Sequence, residues 1–339
     1  MTAPTPVLTL TPEGLYCPAG GFHVDPWRPV ATAVVTHGHA DHARWGHARY
    51  HAAAPGEGIL RRRLGADIDL ASHGYGEPLR LGDATVSFHP AGHVLGSAQV
   101  RIEVGGEVWV VTGDYKREAD PSCAPFALVE CDGFVTEATF ALPIYRWDPG
   151  ERVIDEILAW WEENARSGRT SILFCYALGK AQRLLAELHA RLGEARTVHL
   201  HGALVGMVEA YREAGVALAP TQPVSAAPKG DRLAGELVLA PPSAMGTNWM
   251  RRFAEPQTAF VSGWMRVRGQ RRRRGYDRGF VLSDHVDWPD VLRTVAETGA
   301  RRVLCTHGYA DTLARFLREE RGLDAARIET AFDGEADDG

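Results

Sequence analysis

The chain has 339 residues, of which 45% are hydrophobic and 24% charged, and its formal net charge is −6. These values are ordinary for a globular protein of about two domains, and the charge argues against a protein that coats itself in nucleic acid. No stretch approaches the ~20 apolar residues that span a bilayer. The start of the chain lacks the basic patch and apolar run of a secretory signal.

The five cysteines are scattered, odd in number and free of any Cys-x-x-Cys pair. This usage indicates reduced thiols, and it excludes both a disulfide framework and a thiolate zinc site. We therefore expect a cytoplasmic protein with no membrane partner.

Three histidines and one aspartate lie within six residues, directly after an apolar run that predicts a strand: His37, His39, Asp41 and His42. Imidazole nitrogens and carboxylate oxygens are the usual ligands of zinc and similar metals. The alternate spacing of His37 and His39 aims both rings to one side of an extended backbone. The stretch predicts a metal site, with a helix over residues 43–50 after it. A chance surface cluster or a purely structural metal clip is the alternative.

This stretch resembles the His-x-His-x-Asp-His signature of the metallo-β-lactamase superfamily. The resemblance implies an α/β fold, a four-layer αββα sandwich with a metal site at one edge of its two sheets. It also implies three ligands further along the chain, each in a loop or at the end of an apolar strand: His93, Asp114 and His307.

Seven side chains would then hold two adjacent divalent ions, zinc or manganese. The family pattern assigns His37, His39 and His93 to one ion, Asp41, His42 and His307 to the other, and Asp114 to both. Two cations ~3.5–4 Å apart can hold a bridging hydroxide near neutral pH and neutralise a phosphoryl group under attack. An anionic phosphodiester suits this doubled charge better than a neutral amide does.

Two more residues resemble those of a narrower group, the β-CASP nucleases. Glu137 ends an apolar strand, and His285 stands in the sequence Ser-Asp-His-Val-Asp. In the nuclease branch, an acid after this strand orients a catalytic histidine. The resemblance therefore implies that His285 protonates the leaving oxygen and that Glu137 orients its ring, with Asp41 as the third catalytic residue.

The sequence pattern changes at about residue 145, where an amphipathic helix is predicted over residues 152–165. A strand, a short turn and a helix follow, as in a nucleotide-type βαβ unit. We expect a metallo-β-lactamase catalytic domain in residues 1–144 and 263–339. We expect an inserted β-CASP-like α/β domain in residues 145–262.

Two regions predict contacts with nucleic acid. In the first, helix amides and Lys180 face the turn after Tyr176, an arrangement suited to anions and reminiscent of the phosphate pocket of Artemis-type enzymes. The second, residues 264–278, carries seven arginines against one aspartate, with aromatic residues between them. Guanidinium groups bind phosphates and the rings can stack on bases. The arginines that we predict to bind nucleic acid are Arg266, Arg268, Arg271, Arg272, Arg273 and Arg274. A loop kept soluble by its charge is the alternative.

The overall length and the opening Gly-Gly-Phe-His-Val-Asp-Pro-Trp resemble the bacterial ligase-associated DNA exonucleases most closely. The resemblance implies a metal-dependent exonuclease that trims single-stranded DNA or free DNA ends from the 5′ end during repair. It also implies a DNA ligase or helicase as a partner.

Two other functions stay open. An RNA-processing nuclease of the same fold is one, because the pairing of His285 with Glu137 follows the RNA-processing branch. A non-catalytic nucleic-acid-binding protein with a structural metal is the other. A small-molecule hydrolase fits less well, since it needs neither the inserted unit nor the arginine loop.

Overall fold

The computed structural model describes residues 6–267 and 275–328, and its contacts divide them into two compact units. Within the described residues, the first unit comprises 6–119, 123–145 and 285–328, and the second comprises 120–122, 146–267 and 275–284. Each unit has its own sheets and its own core.

The strands are short, as expected for alternating apolar runs separated by glycine-rich turns. They are β1 (Thr9–Thr11), β2 (Gly14–Cys17), β3 (Phe22–Val24), β4 (Thr32–Val34), β5 (Arg49–Ala53), β6 (Leu70–His73), β7 (Leu79–Leu81), β8 (Ala84–Pro90), β9 (Ala98–Val104), β10 (Glu107–Val111), β11 (Gly133–Glu137), β12 (Ser171–Phe174), β13 (Val198–Leu200), β14 (Thr221–Pro223), β15 (Leu237–Ala240), β16 (Gln257–Val261), β17 (Arg278–Phe280), β18 (Arg302–Thr306) and β19 (Asp324–Arg327).

The described α-helices alternate with these strands. They are α1 (Glu57–Leu64), α2 (Gly150–Arg166), α3 (Lys180–Leu192), α4 (Gly202–Glu213), α5 (Trp288–Thr298) and α6 (Ala310–Arg321). The 3₁₀ helices are Ala54–Gly56, Val224–Ala226, Pro242–Ala244, Asn248–Arg252 and Gly263–Arg266. The bounds of α2 confirm the amphipathic helix predicted from the sequence.

The first unit contains two mixed sheets. One has the order β1-β2-β3-β4-β5-β6, with β3 to β6 parallel to one another. The other has the order β19-β18-β11-β10-β9-β8-β7, with β19, β18, β11 and β10 parallel. Because parallel strands end at the same edge of a sheet, the loops after them meet there.

The two sheets pack face to face over a shared apolar core. Val24 and Val34 of the first sheet contact the same buried cluster as Val86, Val100 and Val111 of the second. Alternation along the strand turns the neighbours of Val34 to the opposite face, where they pack with α1. On the outer face of the second sheet, α5 and α6 bury their apolar stripes. The layers of this unit therefore run helix, sheet, sheet, helix.

The segment after the metal loop is not the helix that the sequence predicted. Residues 43–48 form an irregular loop, and β5 begins at Arg49. Backbone amides of Ala48 and Arg49 donate to the carbonyls of Val30 and Ala31, and β5 then runs parallel to β4. Pairing with a neighbouring strand has outweighed local helix propensity here.

The second unit is built on one parallel sheet with the order β14-β13-β15-β12-β16-β17. The helix α3 follows β12, and α4 follows β13, as the strand–turn–helix pattern predicted. The strand β17 pairs with β16, so residues 275–284 belong to this sheet and not to the first unit. By its contacts the first unit resumes at His285, whereas the sequence predicted that the catalytic domain resumes at residue 263, and those domain bounds stay a prediction.

Among the described residues, no helix combines the length and apolar character needed to cross a bilayer.

Candidate metal centre

Four potential ligands converge at the carboxyl ends of β4, β8 and β10. His39 Nδ1 lies 3.1 Å from His37 Nε2 and 3.0 Å from His93 Nε2. Asp114 Oδ2 lies 3.5 Å from His37 Nε2 and 3.7 Å from His93 Nε2. Ligands bound ~2.0–2.1 Å from a tetrahedral ion would be about 3.3 Å apart. The spacing of this first ligand group therefore suits a first-row metal ion.

A second ligand group, Asp41, His42 and His307, has its ligand atoms within 4.8 Å of one another. His42 Nε2 lies 3.7 Å from Asp41 Oδ2 and 3.5 Å from Asp114 Oδ1. The two oxygens of Asp114 thus face different groups, Oδ2 the first and Oδ1 the second. This is the arrangement expected of a carboxylate that bridges two ions.

Two glycines allow the backbone to approach closely enough to form these groups. Gly113 has a φ of 56°, and a Cβ there would lie 2.5 Å from Thr36 Oγ1. Gly308 has a φ of 48°, and a Cβ there would lie 2.5 Å from Thr139 Cα. His307 itself has a φ of 59°, a left-handed conformation that is strained for a non-glycine residue and clusters at functional sites.

The donor set fits divalent cations. His39 Nδ1 lies within hydrogen-bond distance of His37 Nε2 and His93 Nε2, and the latter two nitrogens lie 3.5 and 3.7 Å from Asp114 Oδ2. Each neutral ring carries a single N–H group, so lone pairs of this group face one another. Within the described part of the chain, the buried His42 Nε2 has no hydrogen-bond partner of good geometry. A cation on each group would satisfy these lone pairs, and a nitrogen and oxygen donor set accepts zinc or manganese.

Burial and neighbouring charges set the protonation of these groups. The pKa of His37 and that of His307 lie below the usual range. Burial is the largest cause, and the nearby charge of His42 is the next. Burial also opposes charge on His42, but the surrounding carboxylates, Asp114 first, outweigh it and raise the pKa of His42 well above its usual range. Burial opposes charge on Asp114 as well, yet His42 and His285 hold the pKa of Asp114 well below its usual range. A cation would displace the proton of His42.

Asp25 contacts a candidate ligand, and the sequence reasoning did not single it out. Its Oδ2 lies 2.7 Å from His42 Nδ1 and accepts a hydrogen bond from Thr36 Oγ1 at 2.6 Å, while its Oδ1 accepts from Thr36 N at 2.8 Å. Such a contact fixes the tautomer of His42 and directs Nε2 to the centre. The sequence analysis used Asp25 only as part of the opening Gly-Gly-Phe-His-Val-Asp-Pro-Trp. The signal was its position after β3, the parallel neighbour of β4.

The predicted catalytic pair also lies at this centre. His285 Nδ1 is 2.8 Å from Glu137 Oε2 and 3.9 Å from Asp114 Oδ2. Glu137 Oε1 accepts a hydrogen bond from Tyr115 N at 2.7 Å. Burial raises the pKa of Glu137, and His285 opposes that rise. The carboxylate is thus held from two sides, and it fixes the orientation of the ring.

The predicted nucleic-acid contacts that the structure describes belong to the second unit. In the second unit, Lys180 is buried with its Nζ 2.8 Å from Asp284 Oδ2, so a phosphate there would compete with that carboxylate. Tyr176 is 8% exposed and lies in an apolar cluster with Phe260. Arg266 is exposed, with Nη1 3.4 Å from Asp148 Oδ2. The other five arginines lie outside the described residues: Arg268, Arg271, Arg272, Arg273 and Arg274. All these contacts stay predictions.

Comparisons with known proteins identify relatives of this chain. No protein-family model matches the chain. It is 33% identical over 318 residues to a probable DNA ligase of Opitutus terrae, which covers 93% of this chain and 30% of that protein. It is 28% identical over 131 residues to an RNase J-like protein of Methanocaldococcus jannaschii, covering 37% of this chain and 31% of that protein. It is 35% identical over 96 residues to Integrator complex subunit 11 of Danio rerio, covering 28% of this chain and 16% of that protein.

A solved structure shares the fold. A protein of unknown function from Enterococcus faecalis matches 90% of this chain and 80% of its own with a TM-score of 0.57, at 13% sequence identity. The chain spans about a third or less of the length of the curated relatives named above. The chain is a relative of the metallo-β-lactamase/β-CASP nucleases, which confirms the resemblance seen in its motifs.

Proposed function

We propose that this chain is a metal-dependent nuclease that hydrolyses DNA phosphodiesters, as an exonuclease that starts at the 5′ end and serves repair. The observation that carries this proposal is the pair of ligand groups that both contact Asp114, with His285 and Glu137 beside them. The similarity of nearly the whole chain to part of a probable DNA ligase supports a role in repair.

We also propose that the helix–sheet–sheet–helix layers of the first unit are the metallo-β-lactamase sandwich. The second unit, with its parallel sheet, would be the β-CASP insertion. Support comes from the apolar clusters that separate the layers and from the position of the ligand loops at one edge of the two sheets.

The proposed ligands follow the two groups. One ion would be held by His37, His39 and His93, the other by Asp41, His42 and His307, and Asp114 would contact both. Two divalent cations, zinc or manganese, would neutralise charge on a phosphodiester and activate water for attack. The chain itself keeps the ligand atoms aimed inward, through Asp25 on His42 and through the tight backbone at Gly113 and Gly308.

The proton for the leaving oxygen would come from His285. Its Nδ1 faces Glu137 Oε2, so the ring is oriented with Nε2 as the atom that exchanges a proton with the substrate. A buried carboxylate beside an imidazole also raises the basicity of the ring. Glu137 thereby acts through His285, as a positioning residue.

An assay on end-labelled DNA tests the proposal. Purified protein with a panel of divalent metals should release short products from 5′-labelled single-stranded DNA, and Asp41→Ala should abolish the release. The matched control is Asp67→Ala, an exposed aspartate of the same unit, which should keep full activity. Intact DNA with the unaltered protein across zinc and manganese would rule the proposal out.

RNA processing is the second candidate function. Several relatives are named endoribonucleases, including one of Gibberella zeae that is 33% identical over 111 residues. Matched DNA and RNA oligonucleotides, each labelled at the 5′ or the 3′ end, decide between the two. Faster cleavage of RNA, or cleavage within the strand, would favour this second candidate.

The proposed partner follows from the same comparisons, and the proposed location follows from the cysteines. A DNA ligase or helicase would be the partner, because the chain aligns with part of a probable DNA ligase. A cytoplasmic location is proposed from the five cysteines, which are scattered, odd in number and without a Cys-x-x-Cys pair. Co-purification with the ligase of the same cell would test the partnership.

A further inference from the structure

A cleft of about 610 Å³ opens on the second unit, and no proposed metal ligand lies in its lining. One side is the loop from Pro228 to Arg232, and the other is the 3₁₀ helix Asn248–Arg252. Every residue of the lining comes from the second unit. The cleft is therefore a feature of this unit by itself.

The cleft concentrates positive charge in a chain whose net charge is −6. Four cations line it, and they are Lys229, Arg232, Arg251 and Arg252. The single acid of the lining is Asp231, whose Oδ1 accepts a hydrogen bond from Leu233 N at 2.8 Å. Four cations against one carboxylate make a local field that attracts anions.

Within the described residues, these four cations form no ion pair with a carboxylate, and the acid of the lining, Asp231, accepts from Leu233 N. Arg232 Nη2 donates to the carbonyl of Phe253 at 2.6 Å, which fixes that guanidinium in the wall. Arg252 Nε is buried and, in the described part of the chain, makes no hydrogen bond. Among the residues that the structure describes, the lining thus carries three more positive charges than negative ones.

An aromatic ring stands among these cations. Trp249 is half-buried, and its ring meets His201 at 4.8 Å and Phe253 at 4.7 Å, both in edge-to-face contacts with an interplanar angle of 72°. The two contacts hold the indole in place, so that little further entropy is lost when a ligand stacks on the ring. A fixed ring beside several guanidinium groups is the combination that binds unpaired bases and their phosphates.

We infer that this cleft is a second binding site of the chain, one for single-stranded nucleic acid. The cations would contact backbone phosphates, and Trp249 would stack on a base, which requires an unpaired strand. The inference rests on the proposed nuclease function for its biological meaning, since the site would hold a substrate strand. Its physical content, binding of a single strand, stands without any cleavage.

Fluorescence anisotropy with labelled oligothymidylate of about 20 nucleotides tests the site, in the presence of a chelator so that no strand is cut. The variant Lys229→Ala/Arg251→Ala should weaken binding about tenfold. It should also make the negative slope of log binding constant against log salt concentration shallower by about 1.4, because each of the two lost phosphate contacts contributes ~0.7. The control Arg166→Ala/Arg315→Ala removes the same total charge from exposed positions on α2 and α6 and should leave the slope unchanged.

The stacking role has its own pair of variants. Trp249→Ala should weaken binding about tenfold, and Trp249→Phe, which keeps an aromatic face, should stay close to the unaltered protein. Thermal melting of both variants verifies that they are folded. If Trp249→Ala does not fold, the Lys229/Arg251 variant decides alone.

A small substrate separates this inference from the proposed function. Hydrolysis of bis(p-nitrophenyl) phosphate reports on the metal centre without a nucleic-acid strand, and it should be equal in the cleft variants and the unaltered protein. If the unaltered protein hydrolyses no bis(p-nitrophenyl) phosphate but the cleft variants lose oligonucleotide binding as predicted, the proposed nuclease function is wrong and the proposed binding site stands. Oligonucleotide binding that is absent, or equal in the Lys229/Arg251 variant and its control, would overturn the cleft.

Discussion

Asp114 is the residue on which the proposed centre most depends. One of its oxygens faces His37 and His93 and the other faces His42, so both ligand groups use the same side chain. The buried carboxylate is kept ionised by the rings around it, which hold the pKa of Asp114 well below its usual range although burial opposes this. Removing one of its two oxygens would therefore weaken both groups together.

Asp25 gives the first prediction at this scale. In Asp25→Asn an amide would replace one carboxylate oxygen, and the paired contacts with His42 Nδ1 and Thr36 would be lost in part. Partners behind a metal-bound histidine are worth about 10–100-fold in metal affinity or activity. We expect a loss of that size in nuclease rate, with recovery at higher metal concentration.

Recovery of the rate at higher metal concentration would show that Asp25→Asn weakens metal binding through His42, whereas a damaged fold would not recover. A titration of the rate against zinc or manganese gives the apparent affinity of the protein and of Asp25→Asn. The exposed substitution Asp67→Asn serves as the control. An unchanged affinity in Asp25→Asn would show that the contact with His42 is only structural.

At the scale of elements, a buried ion cluster joins three segments of the second unit. Arg183 on α3 donates from Nη1 to the carbonyl of Ser283 at 2.7 Å and to Asp284 Oδ1 at 3.2 Å. Its Nε lies 3.7 Å from Asp120 Oδ2. Lys180, one turn earlier on α3, pairs with Asp284. The residues 120–122 are thereby tied to this unit although the chain around them belongs to the first.

Arg183→Met should destabilise the second unit by about 3–5 kcal/mol, because it removes a buried cation that contacts both Asp120 and Asp284, and Lys180 remains only beside Asp284. Urea denaturation measures the change in the free energy of unfolding. Arg166→Met, at an exposed position on α2, is the control and should change that free energy by less than about 0.5 kcal/mol. A loss below about 1 kcal/mol for Arg183→Met would mean that the cluster contributes little.

Two neighbouring strands of the first sheet give a pH-dependent prediction. His51 Nδ1 on β5 lies 3.0 Å from His73 Nε2 on β6. Burial lowers the pKa of His51 to about 4, and His73 adds to the effect. The unfolded pKa is near 6.5, so the neutral ring stabilises the fold above about pH 6.5 and this contribution is lost as the pH falls towards 4.

The variant His51→Gln cannot gain that proton, so its stability should fall less between about pH 6.5 and about pH 4. The urea midpoints of the protein and the variant, measured at both pH values, give the difference. His189→Gln, at a half-exposed position on α3, is the comparison. Equal slopes for the protein and His51→Gln would argue against a neutral buried ring.

For the whole molecule, the sequence revealed local features better than distant ones. The ligands His37 to His42 are contiguous, so strand alternation and a short loop were enough to predict a site. The alignment of His93, Asp114 and His307 depends on strand order across more than 200 residues, and only the family resemblance supplied it. Asp25 was missed because its partner lies across a strand pair, which no local pattern shows.

The wrong helix prediction over residues 43–50 and the unexpected pairing of β17 have the same cause. Residues 43–48 and the strand β17 take their conformation from pairing with a neighbouring strand, and their own sequences carry little sign of it. The helix α2 and the βα turn before α3 were predicted correctly, because apolar periodicity is a property of the segment itself. Hydrogen bonding between distant segments is thus the feature that local sequence patterns did not predict.

The central claim for the whole molecule is that two cations bind side by side and share Asp114. Elemental analysis of protein reconstituted with zinc and freed of excess metal tests it most directly. The account predicts about two ions per chain, and about one in His307→Gln, which removes a ligand of the second group only. A single ion or none in the unaltered protein, or the same count in both proteins, would contradict it.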